Sequence, residues 1–146
     1  MTPGSLLLLV DDDGDDVAIA LRALRRLELP VEVRTARNGR EALAVLHADG
    51  DWSAGEPLHP RVIFLDVKMP LLDGFEVLRA LRRFPHTRAV PVVMLSTSSQ
   101  PGDIRRAYEL GANSYLVKRG VSGDPGTMIA QAARYWVELN CISQAG

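Results

Sequence analysis

Five short apolar runs, each followed by a segment with helical spacing, constrain the fold of this chain more than any other feature. Four of the runs cover residues 5–10, 61–66, 90–96 and 113–118, and a fifth, alternating run covers 31–36. Short continuous apolar runs are typical of buried strands, and an alternating run is typical of an edge strand. Strands that alternate with helices predict an α/β fold, in which a parallel sheet carries helices on both faces.

Local signals mark where several of the helices begin. Asn38 with Glu41, and Asp73 with Glu76, have the three-residue spacing of a capping box and precede apolar residues at helical spacing. Pro101 suits the first turn of the fourth helix, where its missing N–H would have no partner in any case. These signals agree with the alternation of strands and helices along the chain.

Length and composition limit the class of protein. The 146 residues suffice for one domain with its own core, and we expect a single domain over 1–146 with no output domain. A net charge of −1 favours neither nucleic acid nor a membrane surface as a partner. With one cysteine, no basic leader and no apolar stretch of about 20 residues, we expect a cytoplasmic location.

Polar side chains stand where the predicted strands end. Asp11 and Asp12 follow the first strand, Asp66 ends the third, Ser96 the fourth and Lys118 the fifth. In a parallel sheet these ends meet at one edge, where α/β folds bind their ligands. Aspartates there suit Mg²⁺, which would let one carboxylate act as a nucleophile toward a phosphoryl group. A lysine and a hydroxyl would then hold the oxygens of that group.

The aspartate-rich stretch VDDDGDDV, residues 10–17, has more than one interpretation. Asp13, Asp15 and Asp16 fit the N-cap and first turn of the first helix better than they fit a metal site. Taken alone, the two aspartates before them fit a solvated loop as well as a metal site. Asp66 is harder to explain without a partner, because it follows four apolar residues and a buried carboxylate is costly.

Four motifs, in this order and spacing, resemble those of bacterial response-regulator receiver domains: LLLVDDD, FLDVKMPLLDG, PVVMLSTSS and GANSYLVK. The resemblance covers nearly the whole chain. It implies a flavodoxin-like (βα)5 doubly wound parallel sheet with strand order 2-1-3-4-5. It also implies a phosphorylation-gated signalling switch that turns over its own phosphoryl group and has no outside substrate, so that the protein is not an enzyme in the usual sense.

The resemblance implies a role for each residue at the strand ends. Asp66 would accept a phosphoryl group from a phosphohistidine on a sensor histidine kinase. Asp11 and Asp12 match the acidic pair that holds Mg²⁺ together with Asp66, and the backbone carbonyl of Lys68 matches a further ligand. The remaining matches are the switch hydroxyl, the switch aromatic residue and the lysine of the family pattern: Ser96, Tyr115 and Lys118.

A closer likeness connects the chain with the small stand-alone regulators that are paired with bacterial phytochromes. It is carried by the long connection 48–60 and by the segments LSTSS, AYELGANSYLVK and RYWVELN. It implies that the kinase is a red-light photoreceptor, a bacteriophytochrome. It also implies a homodimer through the face formed by the fourth helix, the fifth strand and the fifth helix, where Tyr115 and the terminal helix offer apolar surface. Tyr135 and Trp136 are adjacent in sequence and so lie on different sides of that helix, where one can pack inward while the other stays available to a partner. The downstream partner stays unknown.

The chain departs from the family pattern after Lys118, where Arg119 replaces the usual proline that follows a cis bond. A cis bond before a residue other than proline costs about 3–4 kcal/mol. We therefore expect a trans bond, a mobile loop over 119–126 and a lysine that is held less firmly. The last helix should begin late, near Pro125 or Thr127.

The sequence is also compatible with two other functions. One is a metal-dependent phosphatase or phosphotransferase on a similar sheet, in which a second acid would normally follow the nucleophile by two residues, where this chain has Lys68. The other is a pseudo-receiver, a binding module that takes no phosphate. The intact strand-end residues argue against a pseudo-receiver, and Arg119 argues mildly for one.

Overall fold

One parallel sheet contains all five predicted strands, which are β1 (Leu6–Val10), β2 (Glu32–Ala36), β3 (Val62–Asp66), β4 (Val92–Ser96) and β5 (Ser114–Val117). The strand order is β2-β1-β3-β4-β5, in a computed structural model that describes residues 5–51, 55–118 and 124–142. The predicted flavodoxin-like fold and strand order are therefore confirmed. Each strand lies within the run that predicted it, and the continuous apolar runs of β1, β3 and β4 are buried because helices cover both faces of the sheet.

Five helices connect and follow the strands: α1 (Gly14–Leu27), α2 (Gly39–Val45), α3 (Gly74–Leu81), α4 (Pro101–Glu109) and α5 (Pro125–Arg134). The predicted late start of the last helix is confirmed, because α5 begins at Pro125. Asp124 caps it by accepting the Gly126 N–H at 3.0 Å and the Thr127 hydroxyl at 2.6 Å. The helix continues as a π-helical turn over Tyr135–Leu139.

The two predicted capping boxes have different outcomes. At α3 the box is complete, since the Asp73 carboxylate accepts the Glu76 N–H at 2.9 Å and the Glu76 carboxylate accepts the Asp73 N–H at 3.1 Å. At α2 only half of the prediction is correct. Asn38 accepts the Glu41 N–H at 2.8 Å, but the Glu41 carboxylate accepts the N–H of Arg37 instead, at 3.3 Å. Both N-caps have extended backbone, but φ is −157° at Asn38 and −79° at Asp73, so the N–H of the N-cap is oriented differently toward the helix in the two cases.

The core lies in two layers, one on each face of the sheet. Successive residues of β1 point to opposite faces, so Leu7 and Leu9 pack with α1 and α5, whereas Leu8 and Val10 pack with α2, α3 and α4. The predicted edge strand, β2, is largely exposed and buries Ala36. The central strands β1, β3 and β4 are buried along their whole length, which fixes where their polar ends emerge.

Two sequence-based expectations concern the chain beyond β5. The trans bond between Lys118 and Arg119, and the mobility of the loop that follows, lie outside the described residues, which stop at 118 and resume at 124. Within the described part of the chain, no helix combines the length and the apolar character that crossing a bilayer would require.

Candidate functional site

The ends of β1 and β3 bring three of the predicted site residues together. The two strands pair in register, with Val10 opposite Leu65, so the residues that follow this pair lie side by side. Asp11 and Asp66 are buried there, and Asp12 is exposed. One carboxylate oxygen from each of the three lies within 4.8 Å of the other two. Oxygen ligands at this separation fit a hard divalent cation, which would also offset the repulsion between the three charges.

A glycine holds the start of α3 against the end of β3. The Gly74 N–H donates to the Val67 carbonyl at 2.8 Å. A Cβ at position 74 would collide with the backbone carbonyl of Asp66 and would lie 2.9 Å from the Cα of Val67. Only glycine permits this approach, so residue 74 supports the backbone that carries Asp66.

Lys118 reaches the same edge of the sheet from β5. Its N–H donates to the Ser96 carbonyl at 2.6 Å, which continues the ladder between β4 and β5. Its Nζ lies 3.1 Å from Asp66 Oδ1, 3.1 Å from Asp11 Oδ2 and 2.9 Å from Asp16 Oδ2. An ammonium has three protons, and three carboxylates surround this one. The expectation of a loosely held lysine thus differs from the structure, because carboxylates from the end of β1, the end of β3 and the first turn of α1 contact its ammonium.

The remaining acids of the stretch 10–17 lie at the start of α1, as predicted. Asp13 is the N-cap, and its carboxylate accepts the N–H groups of Asp15 at 2.9 Å and Asp16 at 3.1 Å. Asp15 is an exposed first-turn acid. Asp16 has a second role that sequence reasoning missed, namely its contact with Lys118. No local signal could have shown it, because the two residues are 102 positions apart.

The electrostatics of the site follow from burial and from the crowding of like charges. Burial, followed by repulsion from Asp11, raises the pKa of Asp66 to about 7 despite the attraction of Lys118. Burial also raises the pKa of Asp11. Burial alone would lower the pKa of Lys118, but its bond to Asp16 and the charges of Asp66 and Asp11 outweigh that effect, so its pKa is raised. The lysine is therefore charged, while Asp66 titrates near neutral pH.

The two predicted switch residues meet at a third residue, Ser98, which the sequence did not single out. Ser96 is buried, and its Oγ accepts the Ser98 N–H at 3.0 Å. The Tyr115 hydroxyl donates to the Ser98 carbonyl at 2.9 Å. The Ser98 hydroxyl donates to Asp103, in the first turn of α4, at 2.5 Å. The loop between β4 and α4 therefore links the strand end to α4 and to β5.

Lys68 is exposed, two residues after the end of β3. Its backbone carbonyl as a metal ligand stays a prediction, as do the individual roles of Asp66, Ser96, Tyr115 and Lys118 in phosphoryl transfer and switching. The structure brings Lys118 into direct contact with the carboxylates of the strand ends. It joins Ser96 and Tyr115 through Ser98.

Known proteins are similar to this chain in both sequence and fold. The response regulator receiver domain family matches residues 7–129. The probable methanogenesis regulatory protein FilR2 of Methanothrix harundinacea is 36% identical over 137 residues, which are 92% of this chain and 85% of the relative. The response regulator Rcp1 of Synechocystis sp. is 32% identical over 143 residues, which are 98% of this chain and 96% of the relative.

Two solved structures are similar over almost the whole chain. One is the phosphorylated cyanobacterial phytochrome response regulator RcpA, with a TM-score of 0.83 and 30% identity, covering 96% of this chain and 99% of that one. The other is the Mn²⁺-bound form of Rcp1, with the same TM-score, identity and coverage. The match of the family to most of the chain, the shared fold and the carboxylates at the strand ends agree, and the chain belongs to the response regulator receiver domain family.

Proposed function

We propose that this receiver domain is a phosphorylation-controlled switch in which Asp66 accepts a phosphoryl group from a sensor histidine kinase in the presence of Mg²⁺. One observation carries the proposal: the Lys118 ammonium lies 3.1 Å from Asp66 Oδ1 at the edge where the carboxylates of Asp11 and Asp12 converge. An acceptor oxygen, a cation site and a fixed positive charge are thus within a few ångströms of one another. Phosphoryl transfer depends mainly on such positioning and charge stabilisation.

In the proposed step, a carboxylate oxygen of Asp66 forms a bond to the phosphorus of the phosphohistidine. The P–N bond breaks, its electron pair stays on the imidazole nitrogen, and that nitrogen takes up a proton. Mg²⁺ bound by Asp11, Asp12, Asp66 and the Lys68 carbonyl would neutralise charge on the phosphoryl oxygens. Lys118 donates to another phosphoryl oxygen and so replaces part of the contact that it makes with the free carboxylate.

Ser96 and Tyr115 would transmit the change. The Ser96 Oγ accepts the Ser98 N–H, which leaves its own proton available for a phosphoryl oxygen. A shift of Ser96 toward that oxygen would also move the loop at Ser98, because the Ser98 N–H is hydrogen-bonded to Ser96. The Ser98 carbonyl accepts the Tyr115 hydroxyl, so Tyr115 would be affected in turn. We propose that this chain of contacts couples the occupancy of Asp66 to the surface formed by α4 and β5. The signal would then leave through protein–protein contacts of the receiver domain itself.

A phytochrome photoreceptor kinase is the proposed source of the phosphoryl group. The support is the similarity to RcpA, a cyanobacterial phytochrome response regulator, over 96% of the chain. In the C-terminal segment, the Trp136 side chain packs against the core and the Tyr135 side chain is 48% exposed. Of these two adjacent aromatic side chains, one thus faces the core and the other faces solvent.

We also propose a homodimer through the α4-β5-α5 face. Tyr108 on α4, together with Tyr135 and Leu139 after α5, leaves large apolar side chains exposed at 49%, 48% and 68%. Sedimentation at tens of micromolar should therefore show a dimer, and Tyr135→Ser should weaken it. A monomer for the unmodified chain, both with and without a phosphoryl mimic, would contradict this assembly.

The acceptor assignment is tested by labelling and mapping. The protein is incubated with MgCl₂ and acetyl phosphate, the aspartyl phosphate is reduced with borohydride, and the modified residue is located by mass spectrometry. Modification is expected at Asp66, with no labelling of Asp66→Asn, because an amide is not a nucleophile. Asp15→Asn is the matched control, because it removes an exposed carboxylate close in sequence and should be labelled normally. Labelling of Asp66→Asn at the normal rate would refute the assignment.

A further inference from the structure

We propose that Asp16 is a positioning residue for Lys118, which keeps the ammonium beside the acceptor while a divalent cation is bound. This inference rests on the proposed function, since it concerns the same site. Of the three carboxylates around the ammonium, Asp16 makes the shortest contact, at 2.9 Å, compared with 3.1 Å for both Asp11 and Asp66. It is also the one partner of the three that does not belong to the group of carboxylates suited to a metal.

The argument starts from competition between two cations. Asp11 and Asp66 serve both Lys118 and the candidate metal site. A divalent cation there would attract the oxygens that now accept from the ammonium, and its own charge would repel the ammonium across a short distance. Without another anchor, the long and flexible lysine side chain would be displaced toward solvent when the metal binds. Asp16 supplies that anchor from α1.

Asp16 is suited to this role by its place in the helix. Its N–H donates to the carboxylate of the N-cap Asp13 at 3.1 Å, so its backbone is fixed in the first turn of α1. Its side chain is 37% exposed, whereas that of Lys118 is 11% exposed. The contact therefore joins a partly solvated carboxylate to a mostly buried ammonium, and the carboxylate does not need to be shared with the metal.

The consequence is a specific arrangement after transfer. Once Asp66 carries the phosphoryl group, its carboxylate oxygen is part of an acyl phosphate and the negative charge lies on the phosphoryl oxygens. Lys118 can then donate to these oxygens while keeping its bond to Asp16, because an ammonium has three donors. Asp16→Asn would remove the charge of the anchor and leave the metal ligands unchanged.

Lysine NMR tests the anchor directly. The chain has two lysines, Lys68 and Lys118, so labelling with ¹⁵N-lysine gives two ammonium signals. Lys68 is exposed and serves as an internal reference. In the presence of MgCl₂, Lys118 should exchange its protons with water about fivefold faster in Asp16→Asn than in the unmodified chain. The control Asp15→Asn removes the neighbouring first-turn charge without touching Lys118 and should show no change.

Binding of beryllofluoride, a phosphoryl mimic, tests the consequence for the site. We expect Asp16→Asn to bind it about fivefold more weakly, with a Mg²⁺ affinity equal to that of Asp15→Asn, and Asp16→Glu to recover part of the loss. Equal exchange rates and equal beryllofluoride affinities in Asp16→Asn and Asp15→Asn would overturn the inference. Failure of the unmodified chain to bind beryllofluoride would instead overturn the proposed function, and the exchange rates would still decide whether Asp16 anchors Lys118.

Discussion

Two partly buried cations lie at opposite edges of the sheet, and their surroundings differ in kind. Lys118 stands at the carboxyl ends of the strands and contacts three carboxylates, those of Asp11, Asp16 and Asp66. Arg82 stands near the amino ends of β4 and β5 and contacts uncharged groups. The first set of partners can gain or lose charge, and the second set cannot.

Through its guanidinium, Arg82 joins the end of α3 to two other segments, one before β4 and one before β5. Its Nη2 and Nε donate to the Gly111 carbonyl at 2.7 and 3.0 Å, and its Nη1 donates to the Val90 carbonyl at 2.8 Å. Nη2 also donates to the Asn113 side-chain oxygen at 3.0 Å, and that oxygen accepts the Val92 N–H. Burial lowers the pKa of Arg82, but an arginine stays charged in proteins.

The difference between the two clusters shows how one sheet separates stability from switching. Carbonyl oxygens around Arg82 hold the starts of β4 and β5 in a single arrangement. Carboxylates around Lys118 include Asp66, whose pKa burial raises to about 7, so that edge changes with pH, cation and phosphoryl group. Function at this edge therefore needs groups whose charge can change. The opposite edge has a structural role, for which uncharged partners are sufficient.

The largest effect on stability is expected at the amino-terminal edge. Arg82→Met keeps the aliphatic stem but leaves several carbonyls without a charged donor, and should lower the free energy of unfolding by about 3 kcal/mol. Arg82→Lys should recover only part of this, because an ammonium cannot reproduce the geometry of the guanidinium. Urea denaturation measures both values. Mg²⁺ affinity should be unchanged, and a large loss of that affinity would show that the two edges are not independent.

At the carboxyl-terminal edge, a substitution is expected to change the free energy of unfolding in the opposite direction. The pKa of Asp66 is about 7 in the folded protein, above its ordinary value of 3.8, so the folded state binds more protons between these pH values. The contribution of this group to stability therefore decreases as pH rises from about 4 to about 7. Asp66→Asn removes the cost of the charge, and should stabilise the metal-free protein at pH 8 by about 2 kcal/mol, measured by urea denaturation.

Asp66→Asn should lose its extra stability under two conditions, low pH and saturating Mg²⁺. Lowering the pH toward 4 protonates Asp66 in the folded chain and so removes its buried charge, and the difference between Asp66→Asn and the unmodified protein should shrink. Saturating Mg²⁺ stabilises mainly the protein that retains the carboxylate, which should reverse the order of the two. A variant that is less stable than the unmodified chain at pH 8 without metal would contradict the view that Asp66 is a costly buried charge.

A smaller effect, on Mg²⁺ affinity, should distinguish the acids that precede α1 from those in its first turn. Asp12 belongs to the carboxylate group suited to a cation, whereas Asp15 is an exposed first-turn acid. Asp12→Ala should weaken Mg²⁺ binding by about tenfold, and Asp15→Ala should change it by less than about twofold, while costing a few tenths of a kcal/mol through the helix dipole. Calorimetric titration with MgCl₂ measures both. Equal losses in the two variants would mean that the whole stretch acts as a diffuse negative surface.

The elements and their order could be predicted from the sequence because their causes are local. An apolar run such as Leu6–Val10 forms a strand since both its faces must be buried, and Asp73 caps α3 through a residue three positions away. The half-formed box at Asn38 shows the limit of such signals. There, the Asn38 side chain accepts the expected N–H, but the Glu41 carboxylate accepts from Arg37 and not from Asn38.

The sequence by itself determined that Asp11, Asp12, Asp66, Ser96 and Lys118 stand at strand ends, because hydrophobic periodicity and the parallel arrangement place those ends at one edge. Only the tertiary structure decided how the charges pair there. The contact between Asp16 and Lys118 joins residues 102 positions apart, and that between Arg82 and Gly111 joins residues 29 apart. Such pairings depend on how α1 and α3 pack against the sheet, and short-range patterns carry no information about distances across the fold.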